Sequence, residues 1–460
     1  MTSTRKLRLG AVAAALALLM TACGRDDETA DSSSSDNETA ETVAPGDTTD
    51  TGGDEEAAPA AFITPEDDCD AYDATKGIEG GTIKIGTVRP ESGPYSIYDN
   101  VTKGLDAYVK AVNADGGVKA GDGTTYQLEL VKADDAYDPA RTPGEVQRLV
   151  EQEGIFAMVG QIGTSNNLAV RQYMNDACVP SIGLATGSTE WGNANEFPWF
   201  IGGLPSYATE LHAYLEYLKT EMPAAKIALL YQDDDFGKAY QATLKKDIEG
   251  TDMELVDEQS FNPLTETSPE SKVAQLSGSG ADVFIVGIGG APCPAALRAM
   301  PGTWTPATYV SITCSGKTAM SLAVGKDEGL YSVQATLDPG TPADQQNPKI
   351  QDFFTRGAAQ GLTESDLQGG ITAAGWGFGS LFVRALELTP VVDRATIMNT
   401  LYSMDGENYG LMLDEAQSTT DGDTDPWVLE DLRVVRRTAG SWEEVKPLIS
   451  YDGQSNDFAG

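Results

Sequence analysis

Short apolar runs alternate with segments of helical periodicity from Thr82 onwards. The run Ile83–Val88 ends in a turn and predicts a buried strand, while Val101–Asn113 carries apolar residues at helical spacing. Strand and helix alternate four times, which predicts a parallel sheet covered on both faces. The other elements predicted here are strands at Tyr126–Val131, Phe156–Gly160 and Val179–Leu184 and helices at Thr142–Glu153 and Asn166–Ala177.

The same alternation restarts after Pro205. Two later helices, Pro348–Gly361 and Ile371–Leu388, have no sheet of their own nearby, so they must pack on a lobe already formed. The chain should therefore cross between lobes more than once. The second set contains strands at Lys226–Tyr231, Met253–Ser260, Asp282–Ile288 and Thr308–Thr313, helices at Ala208–Thr220, Gly237–Lys246, Pro269–Ser277 and Pro294–Met300, and a late strand at Trp427–Arg436.

These patterns predict an α/β fold of two Rossmann-like lobes with parallel-sheet cores, joined by a hinge with multiple crossovers. A chain of 460 residues is too long for one ordinary core and long enough for two. The N-terminal lobe is expected at 82–203 and 333–407. The C-terminal lobe is expected at 204–332 and 408–446, followed by a tail at 447–460.

The charge balance narrows the range of possible functions. The chain has 70 acidic and 31 basic residues and a formal net charge of −39. Neutralising phosphate requires clustered Lys and Arg, so the balance argues against nucleic acid and against wrapping on anionic lipid. Such acidity is typical of a soluble secreted surface, and a functional acidic patch is the alternative.

The first 23 residues resemble the signal peptide of a bacterial lipoprotein. A basic start precedes the apolar run Leu9–Met20, which is too short to span a bilayer. The stretch Met20–Cys23 resembles a lipobox, with Met20 where Leu or Val is usual. We therefore expect cleavage after residue 22 and lipidation of Cys23. The alternative is a plain secretory signal with an incidental cysteine.

Residues 24–81 are expected to form a disordered acidic tether. Gly24–Ala61 is rich in Ser, Thr, Asp, Glu, Ala, Gly and Pro and has almost no large apolar residues. Such a segment cannot bury enough surface to offset its ordering entropy, and repulsion among its charges should extend it.

Cysteine and histidine usage argues against a metal or other cofactor. Four cysteines remain after Cys23, and an even number in an exported chain suggests two disulfides. The chain has no CxxC pair and a single histidine, His212, so a zinc site has too few ligands.

Two polar loops follow neighbouring predicted strands of the first lobe. Thr164 and Ser165 come after one strand, and Ala185–Trp191 comes after the next. Ligands of parallel sheets bind outside the carboxyl ends of the strands. Free amides and hydroxyls at a helix N-terminus suit a carboxylate, although simple capping explains each loop alone. Two such loops at neighbouring strand ends favour a binding site.

Acidic residues of the second lobe and aromatic residues of both lobes are further candidates. Asp233–Asp235 follows a predicted strand and could hold an ammonium group, or it could be a solvated loop with a helix N-cap. Glu266 is a second candidate anion. An acid facing a carboxylate-binding loop would suit a zwitterion. Tyr98, Trp191 and Phe236 are candidate walls of the site, although each could equally be core packing.

The arrangement resembles the branched-chain amino-acid-binding type of periplasmic binding protein, the type I or Venus-flytrap class. The likeness runs from about Thr82 to the C-terminus and is densest in the first half. Each motif alone is weak, and together in this order they are specific. The residues that carry it are Ile83–Gly86, Ser92–Pro94, Tyr98, Val112–Val118, Asp134–Pro139, Leu149, Val150, Val159, Gly160 and Val179–Ile182.

The resemblance implies roles for individual residues. Thr164 matches the hydroxyl that grips the ligand carboxylate, and Glu266 matches the acid that pairs with its ammonium. Gly187 replaces a usual Thr or Ser, so Thr186 or Ser188 would supply that oxygen, and Phe236 stands where a tyrosine is common. The expected ligand-binding residues are Tyr98, Thr164, Ala185, Thr186, Gly187, Ser188, Phe236 and Glu266.

The early disulfide of the family is absent, because Tyr137 and Gly163 occupy its two positions. Cys293 and Cys314 follow adjacent predicted strands at the same end, which favours a Cys293–Cys314 pair. Cys69 and Cys178 both precede strands at the opposite end, which favours a Cys69–Cys178 pair. The sequence does not settle the connectivity.

The resemblance implies an extracytoplasmic solute-binding protein of an ABC importer, held to the outer face of the membrane by its lipid. The expected partners are a small-molecule ligand, an amino acid or a related carboxylate or amide, and the ABC permease subunits; nucleic acid is excluded, and the chain should be a monomer. A ligand sensor for a membrane receptor is the alternative. An exported enzyme would have to use His212 or the glycine-rich Gly287–Gly290, and neither completes a catalytic motif.

Overall fold

The computed structural model describes residues 61–65, 69 and 72–459. The predicted signal peptide at 1–23 with its Cys23, and the tether up to residue 60, lie outside the described residues. Among the helices of the described part, none combines the length and apolar character needed to cross a bilayer.

The first lobe is built on a sheet of the order β3-β4-β2-β5-β6-β7, with β1 paired to β2. The strands from β4 to β7 along this order are parallel, and β1 and β3 pair antiparallel. The strands are β1 (Ile78–Glu79), β2 (Thr82–Arg89), β3 (Val118–Lys119), β4 (Thr125–Asp134), β5 (Ala157–Val159), β6 (Ser181–Leu184) and β7 (Phe200–Gly202).

The second lobe has a sheet of the order β14-β13-β12-β11-β10-β8-β9. Its strands β8 to β12 are parallel, and β13 and β14 close one side as an antiparallel pair. The strands are β8 (Lys226–Gln232), β9 (Glu254–Phe261), β10 (Val283–Gly287), β11 (Ala307–Val310), β12 (Tyr331–Gln334), β13 (Asp431–Thr438) and β14 (Ser441–Ser450).

Helices cover both sheets. In the first of them, buried apolar residues such as Leu105, Val109 and Val112 recur at helical spacing and face the core. The helices are α1 (Asp99–Ala114), α2 (Thr142–Gln147, continued by the π-helical turn Arg148–Glu153), α3 (Thr164–Asp176), α4 (Tyr207–Glu221), α5 (Asp235–Asp247), α6 (Glu270–Leu276), α7 (Pro292–Ala299), α8 (Lys317–Leu322), α9 (Pro348–Ala359), α10 (Glu364–Leu367), α11 (Gly370–Leu388), α12 (Arg394–Leu401) and α13 (Ser455–Phe458).

The chain passes between the two sheets three times in the described part. It leaves the first sheet after β7, returns after β12 to place α11 against α1, and enters the second sheet again at β13. The predicted α/β fold of two parallel-sheet lobes with several crossovers is confirmed.

Two predicted boundaries are wrong in detail. The strand β12 belongs to the second sheet through Gln334, so the crossing expected at residue 333 comes after residue 334. The predicted tail at 447–460 is part of the second lobe, because β14 continues to Ser450 and the Phe458 ring stacks on His212 at 3.9 Å. Aromatic residues in this segment provide the apolar area that anchors it.

The end of the predicted tether is also ordered. Ile63 is buried, and its N–H donates to the Asn399 side chain over 2.7 Å. Ile78–Glu79 pairs with β2. The prediction of disorder to residue 81 is therefore wrong from residue 61 onwards wherever the structure describes it. The cause is a set of apolar residues, Phe62, Ile63, Tyr72 and Ile78, that the acidic stretch before them lacks.

The structure contains the Cys69–Cys178 and Cys293–Cys314 disulfides, the two pairs that the strand ends favoured. The first ties the segment before β1 to the end of α3. The second joins the start of α7 to the turn after β11. Both therefore join segments that flank strands of one lobe.

Candidate functional site

A cleft lies between the lobes, outside the carboxyl ends of the parallel strands. The space free of protein atoms in it is about 1380 Å³, a figure that includes open solvent. Its lining comes from the segments that follow β5, β6 and β7 in the first lobe and β8, β10, β11 and β12 in the second. This is the position at which doubly wound sheets bind ligands.

Thr164 and Ala185 lie side by side on the cleft. Ile162 and Ala185 form a parallel bridge, and the Ala185 N–H donates to the Gln161 carbonyl over 2.9 Å. The Thr164 Oγ1 lies 2.6 Å from the Thr186 Oγ1, and no side chain caps the N-terminus of α3. The Thr164 hydroxyl, with the Thr186 hydroxyl behind it, therefore lies at the uncapped N-terminus of α3 on one corner of the cleft, which we call the Thr164 corner.

The rest of the second polar loop lies behind the cleft surface, so its predicted direct contacts are wrong. The Thr186 hydroxyl contacts the hydroxyls of Thr164 and Tyr207, and the Thr186 carbonyl accepts from the Trp191 indole over 3.2 Å. Gly187 is buried, and a Cβ there would collide with the Pro205 carbonyl. Ser188 accepts from the Glu190 N–H and caps a short 3-10 helix. Thr186 thus supports the corner from behind, whereas the Ser188 hydroxyl only caps the next turn.

Tyr98 lines the cleft with its ring and bridges the lobes with its hydroxyl. The hydroxyl accepts from the Gly290 N–H over 2.7 Å and donates to the Thr313 carbonyl over 3.3 Å. Tyr95 makes a parallel contact, donating to the Gln232 side chain over 2.6 Å. The two tyrosines of the first lobe are therefore fastened to the second lobe across the cleft.

The glycines of the loop after β10 allow this close approach. A Cβ at Gly289 would lie 2.5 Å from the Tyr98 hydroxyl oxygen, and one at Gly290 would lie 2.7 Å from the Tyr95 ring. Gly290 also has a φ of +60°, which disfavours other residues. The glycine-rich motif noted in the sequence thus serves the contact between lobes.

Phe236 lies on the cleft as predicted, at the start of α5. Its ring is 4.6 Å from the Tyr207 ring, which also lines the cleft. The acids before it have a different role, because Asp234 accepts from the Gly237 N–H and caps α5. A helix N-cap was the alternative interpretation of Asp233–Asp235 in the sequence.

Glu266 does not reach the cleft, so its predicted role is wrong. Its side chain is a third exposed, accepts from the Asn262 N–H and lies 3.6 Å from the Lys272 ammonium. The cause is topological: Glu266 follows β9, the edge strand of the second sheet. The loop after β11 supplies Ile312 and Thr313 to the cleft instead.

Two other sequence candidates are structural. Trp191 is buried, and its ring stacks at 6.0 Å on the Phe200 ring, so it is core and not a wall of the cleft. The His212 Nδ1 lies 2.6 Å from an Asp247 carboxylate oxygen on the neighbouring helix. The sequence had left core packing open for Trp191.

Tyr137 is a cleft residue that the sequence analysis considered only as the replacement of a family cysteine. It has a φ of 63°, its ring stacks on Tyr95 at 4.1 Å, and it lies against Gly163. The buried Asp135 carboxylate fixes this turn by accepting from the Tyr137 N–H and the Asn166 amide. Tyr137 and Gly163, which stand at the two positions of the family disulfide, are therefore in contact. The Tyr137 ring occupies the place of that disulfide.

The apolar floor of the cleft was also missed. Val101, Ile162 and Phe378 form a small cluster separate from the lobe cores, with Ile371 and Ala374 packed against it. Phe378, Ile371 and Ala374 belong to α11, a helix whose periodicity gave no sign that one face would line a cleft. Only the crossing of the chain after β12 brings it there.

Charge is scarce on this lining. Among the described residues that line the cleft, none is Lys, Arg or His, and Asp338 is the one acid. Burial raises the pKa of the Asp338 carboxyl above its usual value. Its oxygens accept from the Gly340 N–H and the Thr341 hydroxyl. The cleft therefore suits a mostly neutral, apolar guest with one hydrogen-bonding group.

Away from the cleft, Asp425, Glu430 and Asp452 bring carboxylate oxygens within 4.8 Å of one another. Burial raises the pKa of Glu430 to about 8. Its oxygens accept from the Gly453 and Ser455 N–H groups, which fastens the last turn of the chain.

Comparison with known proteins gives one family. A family model described as periplasmic binding protein matches residues 82–436. The Leu/Ile/Val-binding protein homolog 7 of Brucella abortus is 27% identical over 211 residues, which cover 44% of this chain and 51% of that relative. The chain thus spans about half the length of the curated relatives it matches.

Solved structures share the fold. A branched chain amino acid ABC transporter protein from Thermus thermophilus with bound valine has a TM-score of 0.69 at 17% identity, covering 80% of this chain and 96% of that one. A fatty acid ABC transporter substrate-binding protein from Thermomonospora curvata has a TM-score of 0.68 at 18% identity, covering 84% and 96%. Identities this low show the fold alone.

Proposed function

We propose, on the premise that this chain belongs to the periplasmic binding protein family, that it is the extracytoplasmic substrate-binding protein of an ABC importer. It binds an amino acid or a related small carboxylate or amide in the cleft between its lobes. It acts by binding and not by catalysis. The structural relatives named for ABC transport support the importer assignment.

The observation that carries the proposal is the Thr164 corner. The Thr164 hydroxyl, with that of Thr186 behind it, and the uncapped N-terminus of α3 lie at the carboxyl ends of β5 and β6, on an interlobe cleft. Hydroxyls and helix N-terminal amides stabilise an acid group there without a basic side chain. This fits the absence of Lys and Arg from the described lining.

Hinged closure is the proposed mechanism. The ligand binds first at the Thr164 corner, and the second lobe then closes over it with Phe236 and the loop after β11. Tyr98 and Tyr95 hold the closed form through bonds to Gly290, Thr313 and Gln232. A permease that recognises only this closed form would distinguish loaded from empty protein.

Membrane attachment through a lipid on Cys23 belongs to the same proposal. The tether would let a monomeric domain reach the permease from the outer face of the membrane. A Cys23→Ala chain should then leave the membrane fraction and appear in the soluble extracytoplasmic fraction. Retention of that variant in the membrane would contradict lipid anchoring.

A thermal-shift screen of the purified mature chain tests the binding function. Amino acids, amides and small carboxylates are compared on wild type, Thr164→Ala and Ser188→Ala. A ligand should raise the melting temperature of wild type and of Ser188→Ala, whose hydroxyl only caps a 3-10 helix. The shift should shrink for Thr164→Ala. Equal shifts in all three would remove Thr164 from the site.

A further inference from the structure

The cleft has unfilled space along one helix. Ile371, Ala374 and Gly377 line it at three-residue spacing on α11, and each is half-buried between buried neighbours. A Cβ added at Gly377 would meet no heavy atom within 4 Å. The stripe therefore borders open space, and its two small residues leave room for a guest.

The segments that cross between the lobes continue this apolar surface. Leu411, Met412 and Leu429 line the same cleft. The Leu337 N–H donates to the Leu411 carbonyl over 2.8 Å, which fixes the two crossing segments to each other. The cleft thus extends from the Thr164 corner to an apolar wall formed by these residues. Binding an acid group alone would not require this apolar surface.

The lining of the cleft offers little stabilisation to an ammonium group. Glu266 points away from the cleft and is paired with Lys272. Asp338, the one acid among the described lining residues, already accepts from Gly340 and Thr341. A buried ammonium whose one possible acidic partner is already engaged in these two bonds loses its hydration and gains less in return.

Resting on the proposed binding function, we infer that the ligand is an apolar monocarboxylate. Its acid group binds at the Thr164 corner, and its alkyl or aryl body lies along α11 over Ala374 and Gly377. A zwitterionic amino acid is disfavoured, because it would bring an unpaired ammonium and leave the space over Gly377 empty.

Calorimetric titration of the mature chain, freed of bound solute, tests this. The ligands are octanoate, 3-phenylpropanoate, 2-aminooctanoate and leucine. Octanoate and 2-aminooctanoate differ only in the ammonium group, and the phenyl acid separates aryl from alkyl bodies. The variants are Gly377→Leu, which fills the space, Gly377→Ala, which adds one carbon, and Gly144→Leu. Gly144 is the matched control, since it too is helical with open space but lies at an exposed position of α2 outside the cleft.

We expect octanoate or 3-phenylpropanoate to bind at least about tenfold more tightly than 2-aminooctanoate and leucine. Gly377→Leu should lower the affinity for the acid that binds by about tenfold or more. The affinities of Gly377→Ala and Gly144→Leu should stay near that of wild type. Leucine binding more tightly than either acid, and weakened by Thr164→Ala, would overturn the inference and leave the binding function standing. An unchanged affinity in Gly377→Leu would also overturn it. Failure of every ligand to bind would overturn both.

Discussion

The Tyr98 hydroxyl accepts a hydrogen bond of 2.7 Å from the backbone N–H of Gly290, which lies in the opposite lobe. The same hydroxyl donates to the Thr313 carbonyl of that lobe. A single side chain of the first lobe thus joins two loops of the second. We take these bonds to stabilise the closed form.

Tyr98→Phe keeps the ring on the cleft and removes both bonds between lobes. Each such bond contributes about 0.5–1.5 kcal/mol, so the loss of both should lower ligand affinity by roughly fivefold to 150-fold, mainly through faster dissociation. Stopped-flow dissociation of a bound ligand measures this. Tyr126→Phe is the control, because its hydroxyl bonds to Asp122 on the surface. Equal dissociation rates in Tyr98→Phe and wild type would show that the bonds do not hold the closed form.

Glu266→Gln should leave ligand affinity within about 0.5 kcal/mol of wild type, since the residue lies on the loop after an edge strand, away from the cleft.

Phe236→Ala should weaken ligand binding by about 1–3 kcal/mol, because its ring lies on the cleft. Both are measured by calorimetric titration with the same ligand. A large loss in Glu266→Gln would restore the role that the sequence suggested.

Glu210 should make stability depend on pH. Burial raises the pKa of Glu210 to about 7, while the unfolded chain keeps the usual 4.5. Between these values the unfolded state loses the proton that the folded state retains, so the contribution of Glu210 to stability is present below 4.5 and declines as pH rises to about 7.

Glu210→Gln tests this, because the amide oxygen can still accept from Tyr309 and Ile312. Its free energy of unfolding minus that of wild type should rise between about pH 5 and about pH 8, by up to about 3 kcal/mol. Urea unfolding across this range gives the difference. A difference that stays constant with pH would mean that Glu210 does not hold its proton in the folded chain.

The two disulfides should differ in their effect on stability. Cys69–Cys178 spans 109 residues and Cys293–Cys314 spans 21. Chain entropy predicts contributions of about 5 and about 3 kcal/mol. Urea unfolding of the two double alanine variants compares them. A larger loss for the shorter loop would mean that local packing, and not loop length, decides the effect.

The sequence predicted the parts of the site that follow from strand order within a parallel sheet. Thr164, Ala185 and Phe236 lie on the cleft as expected, because loops at the carboxyl ends of strands meet at one edge. Glu266 was wrong because periodicity does not reveal that β9 is an edge strand. The sequence left Trp191 open between cleft wall and core, because a tryptophan has the same pattern in a core as on a cleft.

Two other features of the cleft could not be predicted from the sequence. One depends on a contact distant in sequence and the other on an unusual backbone conformation. The α11 face with Gly377 became visible only when the crossing after β12 placed that helix beside the cleft. The turn that presents Tyr137 depends on left-handed backbone at Ala136 and Tyr137, which residue type alone does not indicate.

A crystal structure of the chain with its bound carboxylate ligand tests the central claim most directly. The measured quantity is the distance from the Thr164 Oγ1 to the acid oxygen of the ligand. We predict a hydrogen bond of about 2.7 Å, with the ligand body between α11 and the crossing segments. A ligand held outside the interlobe cleft, with the Thr164 hydroxyl still bonded only to Thr186, would contradict the account.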